Sequence, residues 1–168
     1  GRPIEDLIGN VSFAEMIWFM LRGDQPSAAQ ARLFEAALVS AVDHGPQAPS
    51  IAAARMAVTC GLPLNNAMAS AVNMVGDVHG GAGEQAVELY HHVDEGGTLD
   101  AWIEEHGKIV PGFGHRFHRP TDPRAPRLME LVAQTAEEGS CTGRFASIAK
   151  DIEADLSARK GKPIPMNI

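Results

Sequence analysis

No stretch of the chain alternates polar and apolar side chains as a half-buried strand requires, whereas signals that start and stop helices recur from end to end. Ser12-Phe13-Ala14-Glu15 and Ser27-Ala28-Ala29-Gln30 each fit the capping box, in which a hydroxyl accepts a free backbone N–H and the later side chain reaches back. They predict helices over 12–22 and 27–43. In the first, Phe13, Met16, Ile17 and Met20 recur at three-and-four spacing, and Trp18, Phe19 and Leu21 widen that face until it is apolar nearly all round. Such a helix needs cover, from the core or from another subunit. The alanine-rich stretch 48–60 ends at Gly61 with Pro63 beyond it, as helices stop. Further helices are predicted over 64–76, 83–95, from Thr98 to 106, 124–138, and 142–160, the last opened by Thr142 and closed by Gly161. Residues 107–121 form a glycine-bearing loop, and the class is all-α.

With 168 residues the chain suits one domain, able to bury roughly 70% of the surface its unfolded form exposes. No apolar run approaches the roughly 20 residues of a membrane span, and no secretory signal is present, so no membrane role is expected. A formal charge of −7 argues against a nucleic-acid surface. Against that background Arg116, Arg119, Arg124 and Arg127 form a local basic cluster suited to a small anionic ligand. Cys60 and Cys141 lie far apart without metal spacing and read as reduced thiols in a cytoplasmic setting.

Three histidines sit beside glycine or proline, in Asp43-His44-Gly45-Pro46, Val78-His79-Gly80-Gly81-Ala82 and Pro111-Gly112-Phe113-Gly114-His115-Arg116. Glycine lets backbone approach a ligand closely, and histidine moves protons near neutral pH. A glycine-flanked histidine taken alone is more often a loop residue or cap; three in order point to an active site. The other histidines have plainer readings. His91 and His92 precede Asp94 but point apart on a helix and read as solvated surface, and His106 reads as a helix-end cation. His115 and His118 are three apart, a spacing that can chelate a metal on a helix; in a glycine loop a metal site is not expected. Gly80-Gly81-Ala82-Gly83-Glu84 could cradle phosphate or simply permit close packing. Arg127 can be solvated surface charge.

Taken together, Gly112-Phe113-Gly114-His115-Arg116 with Asp122-Pro123-Arg124, Val78-His79-Gly80-Gly81-Ala82, and the opening Pro3-Ile4-Glu5-Asp6-Leu7-Ile8 with Ser12 to Gly23 resemble the citrate synthase superfamily. The resemblance spans nearly the whole chain and implies a compact, short form of that family's helical fold. Residues 1–121 would supply mainly large-domain helices and 122–160 small-domain helices. Within the superfamily, Asp43-His44-Gly45-Pro46 looks like citryl-CoA lyases, including the lyase module of ATP citrate lyase. Full synthases also place about a hundred further residues before the first histidine, which again favours the short, lyase-like branch.

The resemblance implies cleavage of citryl-CoA to acetyl-CoA and oxaloacetate without a metal. His79 would bind the thioester oxygen and stabilise the enolate. His115 would polarise the oxaloacetate carbonyl or accept the citryl hydroxyl proton. His44, Arg124 and Arg116 would bind oxaloacetate or citryl oxygens, with Arg124 paired bidentately to a carboxylate. Coenzyme A would meet the backbone at Val110, Gly112, Phe113 and Gly114, with Arg119 at phosphate. Family members draw the base from an aspartate after a short hydrophobic segment, and Lys162 to Ile168 looks like the lead-in, so the natural protein is expected to continue with that aspartate. A homodimer or higher homo-oligomer is implied, and a citrate-activating partner enzyme is compatible. The alternatives are a citrate synthase or 2-methylcitrate synthase, and a noncatalytic CoA-binding or assembly module.

Overall fold

The computed structural model describes residues 1–115 and 118–168. Among these the regular structure is helical: α1 (Ile4–Leu7), α2 (Phe13–Arg22), α3 (Ala28–Ser40), α4 (Pro49–Thr59), α5 (Leu64–Val72), α6 (Ala82–Asp94), α7 (Leu99–His106), α8 (Arg124–Glu137) and α9 (Arg144–Lys160). Extended pairing is limited, among the described residues, to isolated bridges at Gly76–Gly80 and Phe113–Met166. None of these helices is long and apolar enough to cross a membrane.

Both expected capping boxes form. Ser12 Oγ accepts the Glu15 N–H while Glu15 accepts the Ser12 N–H at 2.6 Å, and Ser27 and Gln30 repeat the exchange. Thr98 Oγ1 likewise accepts the Ala101 N–H at the start of α7. Helix ends differ more from expectation. α3 stops at Ser40, whose hydroxyl bonds back to the Ala37 carbonyl, and Ala41 leaves the helical conformation. α5 stops at Val72, after which tightened turns lead into the Gly76–Gly80 bridge. α9 begins at Arg144, whose N–H meets Thr142 Oγ1. The four-residue α1 has no periodicity to announce it.

The chain divides into two compact units. The first comprises Gly1–Val42 and Pro123–Ala146, in which α3 packs against α2 and α8. Trp18 meets Phe34 edge-on at 5.8 Å, and Arg32 holds both carboxylate oxygens of Glu138 at 2.8 Å. Gln30, besides closing its capping box, donates to the Ser140 carbonyl. The apolar α2 is only partly covered: Ala14 is buried, whereas Phe13 is 82% exposed and Met20 and Leu21 are also open.

The second unit comprises Asp43–Asp122 and Ser147–Ile168. Here α4 packs on α5 and α6 on α7, and the core gathers Leu89, Leu99, Trp102, Val110, Ile148, Ile152, Leu156 and Met166. Arg159 on α9 pairs with Asp155 on its own helix and reaches Asp100 on α7. Arg159 keeps the Asp100 carboxyl below its ordinary value, first by its hydrogen bond and then by its charge. His92 is not the solvated surface residue expected. Its ring sits where a Cβ on Gly97 would be, meets the Thr98 carbonyl at 3.2 Å and tilts against Trp102. His106 stacks on the other partner it can reach, the Trp102 indole, at 3.9 Å.

Two outcomes are expected. Leu89 is fully buried, so Leu89→Ala should cost about 2–5 kcal/mol in denaturant unfolding. Glu15 is held below its ordinary carboxyl value of 4.5, first by the Ser12 backbone N–H and then by its hydroxyl. A lowered folded value contributes stability present above the ordinary range and lost as pH falls through the lowered one. Glu15→Gln should therefore flatten the dependence of thermal midpoint on pH below about 5, measured against the parent chain.

Candidate active site

The second unit brings the three glycine-flanked histidines to one cleft of about 330 Å³, lined by His44, Gln47, Ala48, Pro49, His79, His115 and Asn167. Each arrives on a turn whose local chemistry sets its direction.

His44 sits in an Asx turn. Asp43 Oδ1 accepts the Gly45 N–H at 2.8 Å, Gly45 takes a positive φ of 77°, and the chain then enters α4 with Pro49 at its first position. The next N–H of that helix start, from Ser50, donates to His79 Nε2 at 3.3 Å. A nitrogen that accepts carries no proton, so the neutral His79 ring keeps its proton on Nδ1.

His79 itself lies in a loop folded back on its own backbone. Gly76 donates to the His79 carbonyl, and Gly81 donates to the Gly76 carbonyl. A Cβ on Gly81 would stand 2.5 Å from the Asp77 carbonyl oxygen, and one on Gly80 would meet Val75 at 2.8 Å. The two glycines are explained by this tight reversal ahead of α6.

The third loop is paired to the C-terminal segment. Gly114 donates to the Pro165 carbonyl at 2.6 Å, and Asn167 donates to that of Gly112 at 2.9 Å, around the Phe113–Met166 bridge. Gly112 cannot carry a side chain, because its φ is positive and a Cβ would press on Ala86 at 3.0 Å, close to the Tyr90 hydroxyl. Burial raises the Tyr90 phenol above its ordinary value, so it stays protonated at neutral pH. Within the loop, the His118 N–H donates to His115 Nδ1 at 2.9 Å, which leaves the neutral His115 proton on Nε2. The His118 ring lies 4.4 Å from that of His115, and Arg119 Nε donates to the His115 carbonyl. Among the described residues no group of three His, Cys, Asp or Glu side chains is placed to hold a metal ion.

The segment from Ile164 to Ile168 is held by polar side chains. Ser157 accepts the Ile164 N–H, Glu153 accepts that of Met166 at 2.7 Å, and Asp122, fully buried, accepts that of Ile168 at 3.2 Å. Gln47, Asn167, Tyr90 and Glu153 have no role assigned from a motif, whereas Asp122 belongs to the Asp122-Pro123-Arg124 motif without a role read from it. Val110 is buried, its carbonyl accepting the Phe113 N–H, and Phe113 is half-buried in the glycine loop. Arg119 is exposed beside it, and Arg124 opens α8 in the first unit. Arg116 lies outside the described residues.

A helical fold with three imidazoles on glycine turns around one cleft defines a class of helical, histidine-bearing domain. Comparison with known proteins narrows that class. Residues 1–168 match the family described as citrate synthase, C-terminal domain, and the chain belongs to that family. The citrate synthase of Deinococcus radiodurans is 33% identical over 171 residues, covering 96% of this chain and 43% of that protein. The citrate synthase of Haloferax volcanii is 28% identical over 158 residues, covering 90% and 41%. The chain thus spans about two fifths of these curated relatives. Among solved structures, citryl-CoA lyase from Hydrogenobacter thermophilus aligns with a TM-score of 0.85 and 35% identity, over 99% of this chain and 65% of that one. The Methanosaeta concilii ATP citrate lyase in complex with (3S)-citryl-CoA shares the fold, with a TM-score of 0.83 and 19% identity over 99% of this chain and 27% of that one.

The hold on the C-terminal segment can be tested directly. Glu153→Ala should speed hydrogen exchange at the Met166 amide roughly tenfold or more, since a bond to a charged acceptor is lost, while Glu153→Gln keeps an oxygen there and most of the protection.

Proposed function

We propose that the chain is the catalytic part of a citryl-CoA lyase, cleaving citryl-CoA to acetyl-CoA and oxaloacetate. The observation that carries this reading is the pair of imidazoles in one cleft, each with one nitrogen held by a backbone N–H and therefore a donor at the other. Such a pair suits a reaction in which charge develops on two oxygens. In this reading His79 Nδ1–H meets the thioester oxygen and stabilises the enolate, and His115 Nε2–H meets the ketone oxygen of oxaloacetate. His44, Arg124 and Arg116 take substrate carboxylates and oxygens. The coenzyme A end lies along Val110, Gly112, Phe113 and Gly114, through peptide groups not engaged by the C-terminal segment, with Arg119 at phosphate. The family resemblance implies an aspartate as the base at the α-carbon, and the pairing of 165–167 with 112–114 carries Asn167 into the cleft lining.

The Asp43-His44-Gly45-Pro46 turn and the likeness to the Hydrogenobacter lyase favour cleavage over synthesis. Likeness to curated citrate synthases supports the second reading, condensation followed by thioester hydrolysis. In the cell the lyase would need a citrate-activating enzyme to supply citryl-CoA. A homodimer would cover the apolar side chains left open on α4 and α5, such as Met56, Leu64, Met68 and Val72.

The deciding experiment supplies citryl-CoA to the full-length natural polypeptide and follows products. Oxaloacetate with acetyl-CoA is the expected outcome; citrate with free CoA would make it a synthase, and CoA binding without turnover a binding module. His115→Ala should lower cleavage on the order of 10²–10³-fold while CoA binding stays within a few-fold.

A further inference from the structure

The backbone groups of 164–168 turn alternately to two sides. Gly114 donates to the Pro165 carbonyl at 2.6 Å and Asn167 donates to that of Gly112 at 2.9 Å, so residues 165 and 167 face the glycine loop. On the opposite edge the Ile164 N–H donates to Ser157 Oγ at 2.9 Å, that of Met166 to Glu153 Oε1 at 2.7 Å and that of Ile168 to Asp122 Oδ2 at 3.2 Å. Such alternation belongs to a strand with a neighbour on each side. The glycine loop is one neighbour. The other is a row of three side-chain oxygens.

Spacing explains how a helix can stand in for a strand. Ser157 and Glu153 lie four apart on α9, about 6 Å along its axis, and the same-side N–H groups of an extended chain recur about every 6.6 Å. The two runs are antiparallel, so each further step along the segment needs an acceptor four residues earlier on α9. The next such residue is Ala149, buried and without a polar side-chain atom. Asp122, 0% exposed, supplies the missing oxygen from outside the helix. A buried carboxyl group needs hydrogen-bonding partners, and the Ile168 N–H is one that this row provides.

Register along the row decides which side chain the segment shows to the cleft. A slip of one residue would exchange Asn167, which lines the cleft with His79 and His115, for Met166 or Ile168, and would expel Met166 from the core. The same pairing holds the turn of Gly112 and Gly114 that presents His115. Resting on the lyase reading above, we infer that Glu153 and Asp122 are positioning residues for turnover, whose carboxylates fix the register of 164–168 and through it the Asn167 wall of the cleft and the place of the His115 donor. Neither is among the described residues lining the cleft, so both act through the backbone they hold. Misplacing reacting groups by an ångström is felt in the bond-breaking step far more than in binding.

The test measures kcat and KM for citryl-CoA in the full-length natural polypeptide and in Glu153→Ala, Glu153→Gln, Asp122→Ala and Asp122→Asn, each assayed well below its thermal midpoint, together with hydrogen exchange at the Met166 and Ile168 amides. Each alanine variant should lose about 10- to 100-fold in kcat while KM stays within a few-fold, and the amide facing the missing oxygen should exchange faster. Glu153→Gln and Asp122→Asn keep a carbonyl oxygen in place, so each should recover most of the rate and most of the protection. If Asp122→Ala fails to fold, the two Glu153 variants carry the same comparison. Faster exchange at Met166 in Glu153→Ala with kcat within a few-fold of the parent would overturn the inference alone, as would a glutamine variant as slow as the alanine one, or a rise in KM without a fall in kcat. If the parent yields citrate and CoA, the lyase reading falls and the variants are judged on that rate instead. A parent that turns over nothing overturns both.

Discussion

The site depends on how the backbone of Ile164 to Ile168 is satisfied. A short segment outside any helix has N–H and C=O groups that must find partners when half-buried. Here they find them on three sides: Ser157 and Glu153 of α9, the glycine loop at Gly112 and Gly114, and the buried Asp122. Met166 adds an apolar anchor, nearly fully covered. The loop that presents His115 is thus one side of a small two-stranded contact whose other side is held to a helix. Its glycines are required by geometry, positive φ at Gly112 and Gly114 and the closeness of Ala86 beneath Gly112.

A second constraint is electrostatic. Two backbone N–H groups, from Ser50 and His118, each occupy one nitrogen of an imidazole and so choose its tautomer. Backbone donors suit this task because they have no rotamer to lose and no charge to titrate. In the proposed reaction such donors would be positioned before substrate arrives, the condition under which hydrogen bonds to a developing oxyanion are most effective. The Ser50 donor depends on where α4 begins, and hence on Pro49 and the Gly45 turn.

Much of the fold was legible because helix starts are local events. The serine of each capping box and Thr98 need only the next few residues to declare themselves, and all three cap as expected. Helix ends were less legible. α3 and α5 stop several residues before their apolar patterns do, since a turn there is needed to aim Asp43–His44 and Gly76–His79. His92 was misread for a related reason: whether a helical histidine is solvated depends on what approaches it, and a Gly97 without a side chain lets the ring pack inward. At the candidate site the motif residues His44, His79 and His115 could be named from their neighbours. Gln47, Asn167, Glu153 and Tyr90 could not, because their contributions come from contacts between segments far apart in the chain.

By itself the sequence determined the helical class, the positions of the caps, and the three histidine turns, all of which follow from interactions among residues a few positions apart. Tertiary structure alone decided that 123–146 groups with the first 42 residues, that residues 164–168 lie against the glycine loop, and which nitrogen of His79 and His115 holds the proton. The reason is physical. Turns and caps are satisfied locally, whereas a tautomer is set by whichever donor reaches the ring: Ser50 from 29 residues away for His79, and the close-lying His118 for His115 only once its loop has folded.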